Sequence, residues 1–295
     1  MFNTIIFAVT FLLALLSVAF FTLLERKFLS LRQLRKGPNK VGFFGVLQPF
    51  ADAIKLFRNE IIVPVRSNKF FFLSIAPLTL GLALIFWLII QLEFKYVNVK
   101  YRVIIFLVIS GLRVFPVFFA GWRSNRSYAF LGSLRARAQT ISYEISLIFF
   151  LLTIMLLGNG YLISCWERFP LGVLNVPLLL TWLITIISET NRAPFDFAEG
   201  ERELVSGFNI EYRSGRFGLL FLAEMSNILF MCILTRALFF QCNMAILLVS
   251  TCLFVLLFLS LRTSYPRLRY DLLITFFWLF LLPFRFFSFR VVCII

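Results

Sequence analysis

The chain has 295 residues, 61% of them hydrophobic and 18% aromatic, with a mean hydropathy of +0.93 and a formal net charge of +15. These values exclude a soluble domain and place it among integral membrane proteins, where basic residues lying between apolar runs read as topology control, not nucleic-acid binding. There is no His, which removes imidazole chemistry, and the five cysteines form no CxxC pair, which argues against a cluster or structural zinc held by this chain alone.

The first predicted element, residues 2–24, is a run of about 20 mainly apolar residues, the length that crosses a ~30 Å hydrocarbon core. It matches a signal peptide in hydropathy, but it lacks a basic leading region and a small-residue cleavage site and is expected to be retained. Seven similar runs follow at 70–92, 103–122, 140–164, 169–188, 217–239, 244–261 and 272–289. Each must satisfy its backbone within itself, and none alternates like a barrel strand. The expected fold class is therefore all-α integral membrane, with eight transmembrane helices. No repeat, low-complexity linker or soluble insert is visible, so residues 1–295 are read as one membrane domain. The links after spans one, three, five and seven, with the adjoining span ends, hold 21 of the 29 Lys and Arg residues. By the positive-inside rule these links face the cytoplasm or mitochondrial matrix, and both termini face the other compartment.

The first link contains a further element. In VGFFGVLQPFADAIKLFRNE, Phe43, Leu47, Phe50, Ile54 and Phe57 recur at helical spacing, with Gln48, Asp52, Lys55 and Asn59 opposite. The pattern predicts an amphipathic helix lying along the membrane surface, with Pro49 tolerated near its first turn. Its plain reading is a surface anchor. The same link carries Arg32, Arg35, Lys36 and Lys40 around a Gly-Pro turn, a run whose usual role is topology signalling or headgroup contact.

Charged residues inside spans are costly and usually face the bundle interior or a partner. Glu144 lies in the fourth span beside Tyr143, Glu189 closes the fifth, and Glu224 lies roughly 12 Å into the sixth. Arg236, about 18 Å further along the sixth helix, is too far to neutralise Glu224. Withdrawal from water favours the protonated form of a carboxylic acid, which suits groups that take up and release protons. The alternative is a static buried pair with an arginine from another segment. The stretch ETNRAPFDFAEGERELVSGFNIEY, residues 189–212, holds six of the chain's 14 acidic residues: Glu189, Asp196, Glu199, Glu201, Glu203 and Glu211. Pro194 predicts that the fifth helix ends near Ala193, and Asp196 with Glu199 fits a capping box opening a short helix to about Val205. Capping accounts for two or three of these carboxylates and leaves the others without a structural role.

Five blocks resemble a known family: ERKFLSLRQLRKGPNKVG (25–42), QPFADAIKLF (48–57), AGWRSNRSYAFLGSLRARAQTISYEIS (120–146), the acidic stretch above, and RTSYPRLRYD (262–271). In order and over almost the whole chain they are similar to membrane subunit 1 of NADH:ubiquinone oxidoreductase, respiratory complex I, of the mitochondrial type. The resemblance implies an eight-helix bundle in the mitochondrial inner membrane, with both termini on the intermembrane-space side. It implies ubiquinone as substrate, with NADH, FMN and the iron–sulfur clusters belonging to partner subunits. Other membrane subunits, the quinone-site subunits of the peripheral arm and the lipid bilayer are the expected partners, and nucleic acid is not. Carried onto matching positions, Glu25, Arg26, Arg35, Asp52, Lys55, Arg192, Asp196 and Phe208 would line or support a quinone channel. Tyr143, Glu144, Glu189, Glu199, Glu201, Glu203, Glu211 and Glu224 would form an acidic path coupling quinone chemistry to proton translocation.

The chain departs from the family at several positions. Ser30 stands where Gly is usual and Phe43 where Pro is usual, and Arg202 interrupts a Glu-Ser-Glu run. Arg123, Arg126 and Arg137 make the link after the third span more basic, while Arg216, Met225 and Leu279 replace a usual Pro, Tyr and Lys. Arg113, inside the third span, has no partner legible in the sequence, and a contact with another subunit is expected for it. The intramembrane glutamates alone would also fit a self-contained proton or cation transporter, although no repeat or broken-helix pair accompanies them. A related subunit of a plastid-type or hydrogenase-related complex, with another electron donor, is a third reading. The 40 Phe residues, encoded by T-rich codons, point weakly to an organelle gene.

Overall fold

The computed structural model describes residues 2–64, 67–91, 102–157, 176–196, 211–239 and 244–294, and every regular element among them is helical. In chain order these are α1 (Phe2–Arg32), the surface helix α2 (Gln48–Arg58), α3 (Lys69–Gln91), α4 (Arg102–Arg123) and α5 (Ser127–Leu157). They continue with α6 (Val176–Glu189), α7 (Ser214–Phe239), α8 (Met244–Ser264) and α9 (Tyr270–Ile294), the last holding a π-helical turn at Phe277–Leu281. Among the described residues, α1, α3, α4, α5, α7 and α9 are long and apolar enough to cross a membrane. The remaining two expected spans are present as shorter apolar helices, Val176–Glu189 and Val249–Ser264.

Boundaries moved where hydropathy and helix propensity part company. The first and fourth spans were expected over 2–24 and 140–164, but α1 and α5 are each 31 residues long. At 1.5 Å per residue that is ~46 Å, well beyond the apolar thickness of a bilayer. The added turns, ERKFLSLR and SYAFLGSLRARAQ, carry charges that end a hydropathy window, yet Leu, Ala, Arg, Lys and Glu are strong helix formers. Both helices are thereby longer than an apolar slab of that thickness, with charged turns at one end. The fifth helix ends at Glu189, a turn before Pro194. The expected short helix at 196–205 lies almost wholly outside the described residues.

Most hydroxyls inside the bundle are satisfied locally, with buried Ser214 Oγ an exception that has no partner among the described protein atoms. Thr10, Ser17, Thr79, Ser110, Thr153, Ser226 and Thr235 each donate to the carbonyl three residues back, at 2.6–2.8 Å. That is the arrangement a helix in hydrocarbon requires, because no water is at hand to take the bond. The core is built on aromatic contacts between helices. Phe150 of α5 stacks on Trp182 of α6 at 4.5 Å, and Phe86, Phe106 and Phe230 of α3, α4 and α7 group at 4.9–5.9 Å. Outward positions on α1, such as Val9, Leu12 and Leu13, are exposed and apolar, as a lipid-facing surface demands.

α4 and α5 approach closely at Gly121. A Cβ placed on Gly121 would fall 2.6 Å from the Ala129 carbonyl oxygen and closer still to the Ser133 side chain. Small residues are what allow two backbones in lipid to approach this far. Gly121→Ala is expected to force these helices apart at a cost of about 1–3 kcal/mol. Its readout is a smaller amount of assembled membrane protein on a native gel, whereas Gly81→Ala, which meets nothing within 4 Å, leaves that amount unchanged.

α2 lies against α1 and α7, with Phe50 edge-on to Phe20 at 6.2 Å and Phe57 facing Gly215. The predicted apolar stripe is exposed throughout, from Phe50 at 39% to Phe43 at 92%. The helix itself starts only at Gln48. Phe43–Gly45 is a 3-10 turn with positive φ just before it at Gly42 and inside it at Phe44 and Gly45, and a Cβ on Gly45 would meet the Pro38 carbonyl carbon at 2.8 Å. The helical spacing of Phe43 and Leu47 continues across this turn without a helix beneath it.

Candidate functional site

Ion pairs draw together four segments distant in sequence. Glu25 of α1, 6% exposed, pairs with Arg262 at the end of α8. On the next position Arg26 Nη1 lies 2.5 Å from Asp52 Oδ2 of α2, and Asp52 Oδ1 accepts from Gln48 Nε2 at 2.9 Å. Asp196, after α6, lies 3.2 Å from Arg267 in the link before α9, where the Leu268 N–H also donates to the Pro194 carbonyl at 3.2 Å. Arg35 and Lys55 are exposed and form no ion pair among the described residues. Together these contacts fix the polar end of α1 to the segments that follow α6 and α8.

A second set lies deeper. Arg192 Nη2 donates to Glu224 Oε2 at 2.7 Å, with the guanidinium 5.4 Å from the Phe221 ring centroid. Arg113 of α4 pairs with Glu189 at the end of α6, donating to both its carboxylate and its backbone carbonyl, the latter at 3.3 Å. The expectation that Arg113 contacts another subunit is thus corrected. Its partner lies 76 residues away in the same chain, beyond the reach of any helical-spacing argument. Its guanidinium is further held over the Phe86 ring at 5.8 Å.

Around this pair lie two small cavities whose mainly apolar walls carry several polar groups. One, of about 60 Å³, is lined by Thr79, Glu224 and Asn227, and the other, of about 20 Å³, by Thr140, Glu144 and Arg137. Arg113, Val117, Glu189 and Asn191 wall both. Buried Glu144 Oε1, Glu189 Oε2 and Asn227 Oδ1 have no hydrogen-bond partner among the described protein atoms. A void of about 10–15 Å³ with polar walls suffices for one water, so both cavities can be hydrated. Tyr143, fully buried, donates to Asn191 Oδ1 at 3.3 Å, and Gln139 donates to the carbonyls of Ser188 and Phe195 at 3.3 and 2.9 Å. These bonds hold the turn after α6 against α5.

Glu211 stands apart from this group, 3.6 Å from Arg126 of the α4–α5 link. Its neighbour Tyr212 stacks on Phe72 at 4.3 Å, and burial pushes its phenol pKa up, so it stays protonated as a donor. Glu199, Glu201, Glu203, Phe208 and Arg202 lie outside the described residues. On the apolar side, a cleft of about 650 Å³ between α1, α7 and α8 is lined by Thr10, Ser17, Phe21, Leu24, Trp87 and Cys252, among others. It reaches Leu24, immediately before Glu25.

Several members of the site were not identified from sequence. Arg262 and Arg267 belong to RTSYPRLRYD, yet nothing in their spacing names Glu25 and Asp196 as partners. Asn191, Asn227 and Gln139 are uncharged and gave no signal, although a polar residue within an apolar helix was the available cue for Asn227.

The sequence profile described as NADH dehydrogenase matches residues 5–293. NADH-ubiquinone oxidoreductase chain 1 of Heterololigo bleekeri is 47% identical over 280 residues, covering 92% of this chain and 90% of its own length. The proteins of that name from Balaenoptera physalus and Sarcophilus harrisii are 45% and 44% identical, each covering 91% of this chain and 89% of its own length. With a match this complete, and with the carboxylate-bearing segments all inside it, the chain belongs to the NADH dehydrogenase family.

Proposed function

We propose that this chain is the quinone-chamber subunit of a proton-pumping NADH:ubiquinone oxidoreductase, a single eight-span domain of the mitochondrial inner membrane with both termini in the intermembrane space. The observation that carries the reading is the pair of adjoining small cavities that bring Glu224, Glu189 and Glu144 into one line through an otherwise apolar bundle. A static scaffold has no use for carboxylates placed at such cost.

The quinone tail is accommodated by the apolar cleft along α1, which leads toward the Glu25–Arg262 and Arg26–Asp52 pairs. Arg35, Lys55, Arg192, Asp196 and Phe208 complete the channel for the headgroup. Reduction of the quinone takes two electrons and two protons, and the electrons come from a centre in a partner subunit. What this chain supplies is position and protons. Arg192, bound to Glu224, links the channel side to the first cavity, and the change in charge on reduction acts on Glu224 through that pair. From there Glu189, Asn191, Tyr143 and Glu144 provide successive hydrogen-bonding positions. Glu199, Glu201, Glu203 and Glu211 would extend the acidic path on the channel side.

The test is isolation of the native complex containing this chain. NADH-dependent quinone reduction with co-purifying peripheral-arm subunits is expected. A purified single chain that moves protons or cations in liposomes without NADH or quinone points to the transporter instead.

A further inference from the structure

We propose that Arg113 is the gate of the internal passage, holding apart the cavity of Glu224 and the cavity of Glu144. The proposal rests on the reading of these carboxylates as a proton path and adds the element that controls it. Both cavities end on the same four residues, and Arg113 is the cation among them. Its guanidinium is pinned on three sides, by the Glu189 carboxylate, by the Glu189 carbonyl and by the face of Phe86. Arginine stays charged at physiological pH and offers donors but no acceptor, so it cannot relay a proton by taking one up. A fixed positive charge at a constriction also repels an incoming proton, the device that narrow water pores use to exclude protons.

The charged groups facing this point are Glu189 of α6, Glu144 and Arg137 of α5, and Glu224 of α7 with its partner Arg192. Glu189 Oε2, turned from the pair, has no hydrogen-bond partner among the described protein atoms. A shift of Arg113 away from Glu189 would open the neck and expose both carboxylate oxygens to the waters on either side. Proton passage is then tied to a change in the charge of Glu224 or Glu144, since either alters the field acting on the guanidinium. Without the cation the neck stands open, and protons cross whether or not quinone is being reduced.

The experiment compares complex I carrying Arg113→Gln, Arg113→Lys or Glu224→Gln in proteoliposomes. Protons translocated are measured per electron passed from NADH to a short-chain quinone, with assembly checked on native gels. Arg113→Gln is expected to lower that ratio to less than about half of the wild-type value, and Arg113→Lys, which keeps the charge, to retain most of it. A wild-type ratio in Arg113→Gln overturns the gate. If that variant assembles poorly, Arg113→Lys decides, because a ratio lost despite the retained charge overturns it as well. Glu224→Gln distinguishes failure of the gate from failure of the proton path. A lowered ratio there beside a normal one in Arg113→Gln removes the gate alone, and normal ratios in both remove the proton path itself.

Discussion

Arg192→Gln is expected to be among the most damaging single changes in this chain. Arg192 is 8% exposed, donates to Glu224 at 2.7 Å and holds its guanidinium over the ring of Phe221. Removing one member of a fully buried ion pair costs about 3–5 kcal/mol. The Glu224 side chain is 24% exposed and borders a cavity, so hydration relieves much of that penalty and the cost falls to about 1–3 kcal/mol. A marginal membrane bundle loses much of its assembled population at that cost, read as depleted complex on a native gel. Arg192→Lys keeps the charge but gives up the planar stacking and the fork of donors, and falls between. The double change Arg192→Gln with Glu224→Gln restores assembly in part, because no charge is then left unpaired. It does not restore quinone reduction. Equal assembly in the single and double variants would show that the two residues are not coupled.

Glu144→Gln acts in the opposite way, on coupling and not on assembly. Glu144 forms no ion pair among the described residues, and its buried Oε1 has no hydrogen-bond partner among the described protein atoms. Glutamine matches it in shape, so the packing of α5 is retained. On the proposed path, what is lost is the ability to hold and release a proton at the far end of the second cavity. Removing a positioned proton-transfer group slows a step by about 10²- to 10⁴-fold. NADH-driven proton uptake by proteoliposomes should therefore fall to background while the complex assembles in normal amount. Glu144→Asp, which keeps an acid on a shorter stem, should recover a measurable part. If Glu144→Gln pumps normally, the second cavity is a dead end.

These two residues also mark what a sequence can and cannot say. The positions of the apolar runs follow from bilayer thickness and chain rise, and each of the eight expected spans overlaps a helix of the structure. The extra turns of α1 and α5 were hidden because charge stops a hydropathy window without stopping a helix. The surface helix was legible from periodicity, but periodicity alone could not show that Gly42 and Gly45 turn the chain before Gln48. Glu144, Glu189 and Glu224 stood out because carboxylates are rare in apolar runs. Their partners did not. Arg113 with Glu189, Arg192 with Glu224 and Arg262 with Glu25 join separate helices, and a single sequence carries no signal for contacts beyond one helical turn. Pairing was weighed as the structural alternative to proton transfer. It holds for Glu189 and Glu224, while Glu144 shows no ion pair among the described residues. The paired residues also line the two cavities, so pairing and the proposed proton path are compatible.

If quinone chemistry takes place against this chain, a photoreactive inhibitor that competes with quinone will label it in the intact complex, as peptide mapping would show. Adducts are expected on this chain, concentrated between Leu24 and Phe57 and near Arg192 to Asp196, and abolished by excess quinone. Adducts confined to unrelated subunits, with inhibition intact, would contradict quinone chemistry at this chain.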